Sequence, residues 1–531
     1  MERIRLGIAT KCCLLTMKAN ASQIAGEIQN AYPIAKILYP SEKDFDKENR
    51  NIFLNRIKHS DADIVILTHD QFNKIKHEDR FREMFVAWQI ETIRELRSRE
   101  ETEGLSPADR KRLDKMEENL RNELENENEK LSKDEISWTE LGFDNLAVDE
   151  AHLFKNLLFQ TSHDKVKGIN ADSNSKRASH IFMAVRDIQE KNGGDKGVIF
   201  ATGTPISNSL AELYNWQVYL VPNILKKQGI NCFDKWADVF AQRQSDWEPD
   251  ELGRSKLVER FRSFINLQPL LTSYRGFADV ITEKDLIEKK LVVDKPKALY
   301  RQVIVPFDSK VDAAIFEELK NIMDTGQSDV LDVHLTEKSF SARSLVTLSK
   351  GTKASLTHKM LGLDDEEFGT IHNKVDYVVK NVARIYKDTQ FAKGTQLIFS
   401  DSYQNGDYNL YTDIKRILSQ RYGIPAKEIV DINTVKEKDR ASFFERVNDG
   451  DVRVVLGSTQ KLGTGVNVQK RACAAHMLDV NWTPSGMIQK TGRVARQGNE
   501  FAKQFLDNNV PVYLYVKERS TDAKKYGLIF A

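Results

Sequence analysis

None of the 27 glycines in this 531-residue sequence is followed by lysine. A phosphate loop of the GxxxxGK[ST] type, whose backbone amides and lysine cradle nucleotide phosphates, is therefore missing from these residues. No apolar run reaches the ~20 positions that a membrane span needs. The opening stretch MERIRLGIATKCCLLTMKAN has no small-residue cleavage site, which points to a cytoplasmic protein with no membrane partner. Cysteine is scarce. The four present (Cys12, Cys13, Cys232, Cys473) have no CxxC spacing, which argues against zinc and disulfide frameworks and for buried free thiols. Neither sign of charge dominates, with 79 Lys plus Arg against 78 Asp plus Glu. Bulk charge thus gives no nucleic-acid footprint, and any basic surface must be local.

What is present is the composition of a globular protein, 40% hydrophobic and 30% charged. Its length exceeds the ~250–300 residues at which one core stops growing, so two or more domains are expected. Buried-strand runs at CCLLTM (12–17), AKILYP (ended by Pro40) and ADIVILTH (62–69) alternate with a helical stretch at 21–32, for which Ser22 is a candidate cap. Such alternation implies a parallel sheet with helical crossovers. Residues 77 to about 137 are dense in charge and in helix formers and are broken at Gly104-Leu105-Ser106-Pro107, the pattern of an inserted helical hairpin. Alternation resumes with NLAVDEAH, a helix at 176–190, VIFATG (198–203) and a helix at 208–220. Residues 221–390 read as a mostly helical linker with a polar loop at 243–256 and a strand at 298–307. A second α/β block spans 391–531, including a helix at 484–497.

Four segments carry chemistry. NLAVDEAH ends a strand in Asp149-Glu150-Ala151-His152, and carboxylates at the C-terminal end of a parallel strand enter the crevice where open α/β sheets bind ligands. Mg²⁺ takes a few carboxylates plus water and phosphate oxygens, and a neighbouring acid can deprotonate a water. VIFATGTPISNS brings Thr202-Gly203-Thr204-Pro205 to another strand tip, with Ser207 or Asn208 able to cap the following helix. VVLGSTQKLGTGVNVQ supplies Gly457, Gly463 and Gly465 with Ser458, Thr459, Lys461 and Thr464, a composition suited to close approach of a phosphate or a nucleic-acid backbone. NWTPSGMIQKTGRVARQGN spaces Gln489, Gly492, Arg493, Arg496 and Gln497 as on a helix, with the two arginines three apart. Each segment alone is compatible with an ordinary strand exit or a solvated helix; their joint order across two α/β blocks is not.

That constellation resembles helicase superfamily two, and within it the Swi/Snf-type double-stranded DNA translocases. VDEAH looks like motif II, TGTPISNS like motif III, QLIFSD like motif IV, GSTQKLGTGVN like motif V and QKTGRVARQGN like motif VI, while Asp479 with NWTPSGMIQ is similar to that group's approach to motif VI. The chain is more similar still to the helicase half of bacterial methylase–helicase proteins from phages and mobile elements. The resemblance implies an α/β fold of two RecA-like parallel-sheet domains in tandem, at 1–220 and 391–531, with the first incomplete. It implies ATP and Mg²⁺ as cofactors and double-stranded DNA as partner. Asp149 would hold Mg²⁺ and Glu150 would activate water, while Arg493 and Arg496 would reach the γ-phosphate. His152, Thr202, Gly203, Thr204 and Gln489 would couple hydrolysis to domain closure. Gly463, Gly465 and Gly492 would lie near nucleotide, and Ser458, Thr459 and Lys461 near DNA.

The departure from the family is the absent Gly-Lys loop. The first 28 residues resemble the family's segment just downstream of motif I. An upstream polypeptide is therefore expected to supply the loop and its strand, and a DNA methyltransferase is a further candidate partner. Without that loop the chain is expected to have negligible ATPase activity alone. The competing expectation is a non-catalytic DNA-binding or scaffold remnant; an RNA helicase is disfavoured by the form of motifs V and VI.

Overall fold

The computed structural model describes residues 1–103, 107–125, 131, 135–162, 166, 175–206, 209–249, 255–291, 295–308, 310–335, 340–363, 373–436, 439–463, 467–480 and 484–530. They divide into two units, one of residues 1–248 with 256–280 and one of 249–255 with 281–531.

In the first unit, β1 (Cys12–Thr16), β2 (Ile37–Leu38), β3 (Ile64–Thr68), β4 (Asn145–Val148) and β5 (Val198–Phe200) form one sheet in the order β2-β3-β1-β4-β5. Every pairing is parallel. A parallel sheet needs helices on its faces, and strands covered on both sides become continuous aliphatic runs; β3, Ile-Val-Ile-Leu-Thr, is buried throughout. The first crossover helix runs Lys18–Ala31, three residues ahead of its expected start. Its N-cap is Met17, in extended conformation, so the chain enters the helix directly from the strand end and Ser22 lies inside it.

The charged insertion is two helices, Asp79–Glu103 and Pro107–Glu125. They are joined by Arg97, which pairs with Asp114 at 2.6 Å and Glu117 at 3.0 Å. The first helix belongs to the core. Phe85, Val86, Ile93 and Leu96 are buried in the sheet's main apolar cluster, and Trp88 stacks on Phe182 of helix Lys176–Lys191 at 5.2 Å. Gln89, fully buried, donates to Leu158 O at 2.6 Å and accepts from Gln160 at 3.1 Å. The hairpin is thereby fastened to the segment after Asp149-Glu150.

Of the polar loop expected at 243–256, residues 243–249 and 255–256 instead lie in a two-stranded ribbon, β6 (Ala241–Pro249) and β7 (Ser255–Phe264), and 250–254 lie outside the described residues. Residues 242–247 are all exposed, so β6 has no apolar period that would mark it as a strand, whereas β7 packs Phe261 and Phe264 against the main apolar cluster.

In the second unit, β8 (Lys297–Val305) is followed by the short pair β9 (Gln327–Ser328) and β10 (Val333–His334). Next come β11 (Thr395–Phe399), the pair β12 (Gln404–Asn405) and β13 (Tyr408–Asn409), then β14 (Ile429–Asp431), β15 (Val454–Gly457), β16 (Ala472–Met477) and β17 (Asn509–Lys517). Six of them make a parallel sheet in the order β14-β15-β11-β16-β17-β8. The fold is thus α/β with two parallel sheets, as expected. Helices Val311–Thr325 and Phe340–Leu356 flank a smaller core of Val311, Ile315, Ile322 and Leu331. Three of the four cysteines are buried and all are free thiols. Among the described residues no helix is long and apolar enough to cross a membrane.

His476, fully buried in β16, lies between Tyr515 Oη at 2.9 Å and Gln396 Oε1 at 3.0 Å. Burial penalises the imidazolium and pushes its pKa down to about 3. Because the folded value lies below the unfolded ~6.5, the neutral ring's contribution is complete above pH 6.5 and is lost as pH falls toward 3. Between pH 7 and pH 5, urea unfolding of the second unit should lose about 2 kcal/mol more in the wild type than in His476→Gln. An equal loss in both would refute this. Separately, Ile93→Ala, at a fully buried site in the insertion, should destabilise the first unit by about 2–5 kcal/mol. A hairpin standing apart from the core would instead leave that unit's midpoint unmoved.

Candidate active site

The register of β1, β4 and β5 aligns their C-terminal ends: Leu15 pairs with Val148, and Val148 with Phe200. Backbone bonds continue past the strands. Asp149 N–H donates to Leu15 O at 2.8 Å, Ala201 N–H to Val148 O at 2.8 Å, and Ala151 N–H to Ala201 O at 3.0 Å. The Asp-Glu tip and the Thr-Gly-Thr tip, about fifty residues apart in sequence, are thus stitched side by side.

The side chains complete the junction. Thr16 at the end of β1 donates its hydroxyl to Asp149 Oδ2 at 2.8 Å. His69, one residue beyond β3, places Nε2 3.0 Å from Asp149 O and packs edge-on against Phe154. Burial pushes the His69 pKa down, so it is neutral near pH 7 and adds no positive charge beside Asp149. His152 Nδ1 lies 3.2 Å from both Glu150 Oε2 and Thr202 Oγ1, and Thr202 Oγ1 accepts the Thr204 N–H at 3.1 Å. The two tips are therefore linked through the His152 ring. Chemically, Asp149 offers hard oxygen for a divalent cation, and Glu150 is an adjacent carboxylate of the kind that accepts a proton from water. Ser207 and Asn208 lie outside the described residues.

Glu150 itself has φ 51°, in the left-handed region. For a residue with a Cβ this conformation costs roughly 1–2 kcal/mol, and such strain is stored at sites that surrounding contacts hold in place.

In the second unit, Ser458 and Thr459 come directly after β15, and Lys461 is exposed on the short helix Thr459–Gly463. Thr459 donates its N–H and its hydroxyl to Asp401, both at 2.7 Å. Gly457 is sterically required, since a Cβ there would come within 2.6 Å of Leu462. Thr464 and Gly465 lie outside the described residues, as do Asn481, Trp482 and Thr483. The helix expected over 484–497 ends at Thr491. Gln489 lies on it, whereas Gly492, Arg493, Arg496 and Gln497 lie on the turns beyond it, held by Arg493 N–H to Lys490 O at 3.2 Å and Asn499 N–H to Arg496 O at 3.3 Å. The physical reason lies in Asn499, whose buried amide donates to Val494 O and Ala472 O, drawing the chain off the helical path.

Sequence reasoning missed Thr16, His69, Asp401 and Lys490. The available signal was that Thr16, Thr68-His69 and Asp401 all sit at exits of strands already recognised. For the strain at Glu150, the test compares two variants that both lose the carboxylate: Glu150→Gly should be about 1 kcal/mol more stable than Glu150→Ala. Thermal or urea melts that reverse the order would show that the positive φ stores no such energy.

The sequence profile described as "Probable helicase domain" matches residues 1–282, and that described as "Helicase conserved C-terminal domain" matches residues 373–498. The chain is similar to the defense against restriction protein B of Escherichia phage P1, at 24% identity over 186 residues, which is 34% of this chain and 8% of that protein. It therefore spans less than a tenth of that relative's length. Among solved structures it is similar to the C-terminal part of the Fun30 ATPase domain, at 14% identity and TM-score 0.30, covering 44% of this chain and 89% of that one. With the first profile spanning more than half of its residues, the chain belongs to the probable helicase domain family, and a helicase C-terminal domain follows.

Proposed function

We propose that this chain is the motor module of an ATP-dependent double-stranded DNA translocase of helicase superfamily two, Swi/Snf type, working within a methylase–helicase system. One observation carries the reading: His152 bridges the Glu150 carboxylate and the Thr202 hydroxyl, so a change at the acidic tip is transmitted to the Thr-Gly-Thr loop. Asp149, steadied by Thr16 and His69, would hold Mg²⁺, and Glu150 would take the proton of the attacking water. Arg493 and Arg496 would offset charge at the γ-phosphate, with Gln489 and Gly492 beside them. Thr202, Gly203, Thr204 and His152 would relay hydrolysis to domain closure. Ser458, Thr459 and Lys461 would grip the DNA backbone, with Gly463 and Gly465 allowing close approach of the nucleotide. We place the two RecA-like lobes at 1–220 and 391–531, with the segment 221–390 extending the first unit and lending β8 to the sheet of the second.

The residues present fit the cation and the water but include no lysine-bearing phosphate loop. We propose that a further polypeptide segment supplies it by adding a parallel strand to β5. At that edge Ile199 is 53% exposed and Val198 and Phe200 are half-buried, although β3 in the same sheet is buried throughout. A strand laid parallel there would end beside Thr202 and Thr204. A DNA methyltransferase is the expected companion activity, and the likeness to a phage protein of defence against restriction supports a mobile-element setting.

The test is ATP hydrolysis by the purified chain, with and without a segment bearing a Gly-Lys-Ser/Thr loop, in the presence of duplex DNA. The chain alone should bind duplex in a salt-dependent manner and hydrolyse no ATP. The completed protein should hydrolyse it at a rate that Glu150→Gln lowers by about 100-fold or more. Glu150-dependent hydrolysis by the chain alone would overturn the need for a second segment, and absence of duplex binding would overturn the DNA motor.

A further inference from the structure

Within the helix Pro484–Thr491, Lys490 has no exposed surface, although it is next to the half-buried Gln489. A buried ammonium is tolerated only with partners that offset its lost hydration. Its Nζ lies 3.3 Å from Asp401 Oδ2 and donates to Asp479 O at 3.4 Å. Asp401 is the same carboxylate that accepts both Thr459 donors. Burial opposes the Asp401 charge, but Lys490 and those donors outweigh it and hold its pKa below the usual range. The Asp479 carboxylate in turn accepts the Asp401 and Ser402 N–H groups and the Ser400 hydroxyl. The ends of β11 and β16, the turn after β15 and the helix bearing Gln489 are thus tied by one chain of charged hydrogen bonds. Helix docking alone does not call for this, since Met487 and Val494 already supply apolar anchors, and an apolar residue of lysine's volume is often as stable at a buried ion-pair site.

We propose that Lys490 is a positioning residue that locks, through Asp401, the Ser458-Thr459 turn to the helix carrying Gln489, so that the two segments shift together. The lock is a statement about this unit alone; its consequence, that DNA contact is felt at the nucleotide-facing helix, rests on the function proposed above.

Hydrogen exchange of the whole chain, read by mass spectrometry, tests the lock. Lys490→Met should speed exchange about tenfold both in 484–492 and in 458–463, while β11 stays protected. Asp401→Asn, at a side chain 46% exposed, should do the same and serves if Lys490→Met fails to fold. Binding of a short blunt duplex should weaken about fivefold in Lys490→Met, although the buried side chain cannot touch DNA. Faster exchange confined to 484–492 would overturn the lock. Faster exchange in both segments with unchanged duplex binding would keep the lock and remove the assignment of Ser458, Thr459 and Lys461 to DNA.

Discussion

Parallel register is the constraint on which the rest depends. In a parallel sheet all strands end on one side, so the residues just beyond each strand are delivered to a common rim. Here the backbone bonds that carry β1, β4 and β5 past their nominal ends bring Thr16, Asp149 and Ala201 into one row. A slip of one residue between β1 and β4 would send the Thr16 hydroxyl away from Asp149 and turn every buried side chain of the strand to the opposite face. The chemistry at the rim thus inherits its precision from aliphatic packing in a strand such as β3, which holds no functional residue before its last position.

Polar groups gathered at a rim must satisfy one another, because each buried and unpaired group costs about 1–3 kcal/mol. The first unit answers with neutral partners: a hydroxyl from Thr16, and an imidazole from His69 that burial keeps uncharged. It also accepts local strain, holding Glu150 at a positive φ between Asp149 and the short turn Ala151–Phe154. The second unit answers with full charges, setting Lys490 against Asp401 and Lys374 against Asp522.

Much of this was legible in the sequence, for identifiable reasons. Strands covered on both faces must be aliphatic runs, so CCLLT, IVILT, NLAV and TQLIF announce themselves, and the order of the four chemical segments is set by them. Hidden were contacts whose partners meet only through register. Thr16 and Asp149 lie 133 positions apart, and nothing local to either marks the other. Strand β6 was hidden because residues 242–247 are all exposed and leave it no apolar period. The end of the helix at Thr491 was hidden because Asn499, which bends the chain there, acts from eight residues downstream. Lys490 went unmarked, since burial of a lysine has no sequence signal apart from its counter-charges.

The contrast between the two rims has a functional logic. A carboxylate that is to hold a divalent cation must keep its charge uncompensated by the protein; a lysine at hydrogen-bond distance would compete with the metal for the same oxygens. Asp149 is positioned by a hydroxyl and a neutral imidazole, which orient it without neutralising it. Asp401 is in the opposite situation: Lys490 consumes its charge, which removes it as a cation ligand and makes it a strut. The pairing of each aspartate therefore separates the two roles. A substitution that gave Asp149 an ammonium partner would convert the proposed cation-binding group into a structural one, even with every backbone bond of the sheet unchanged.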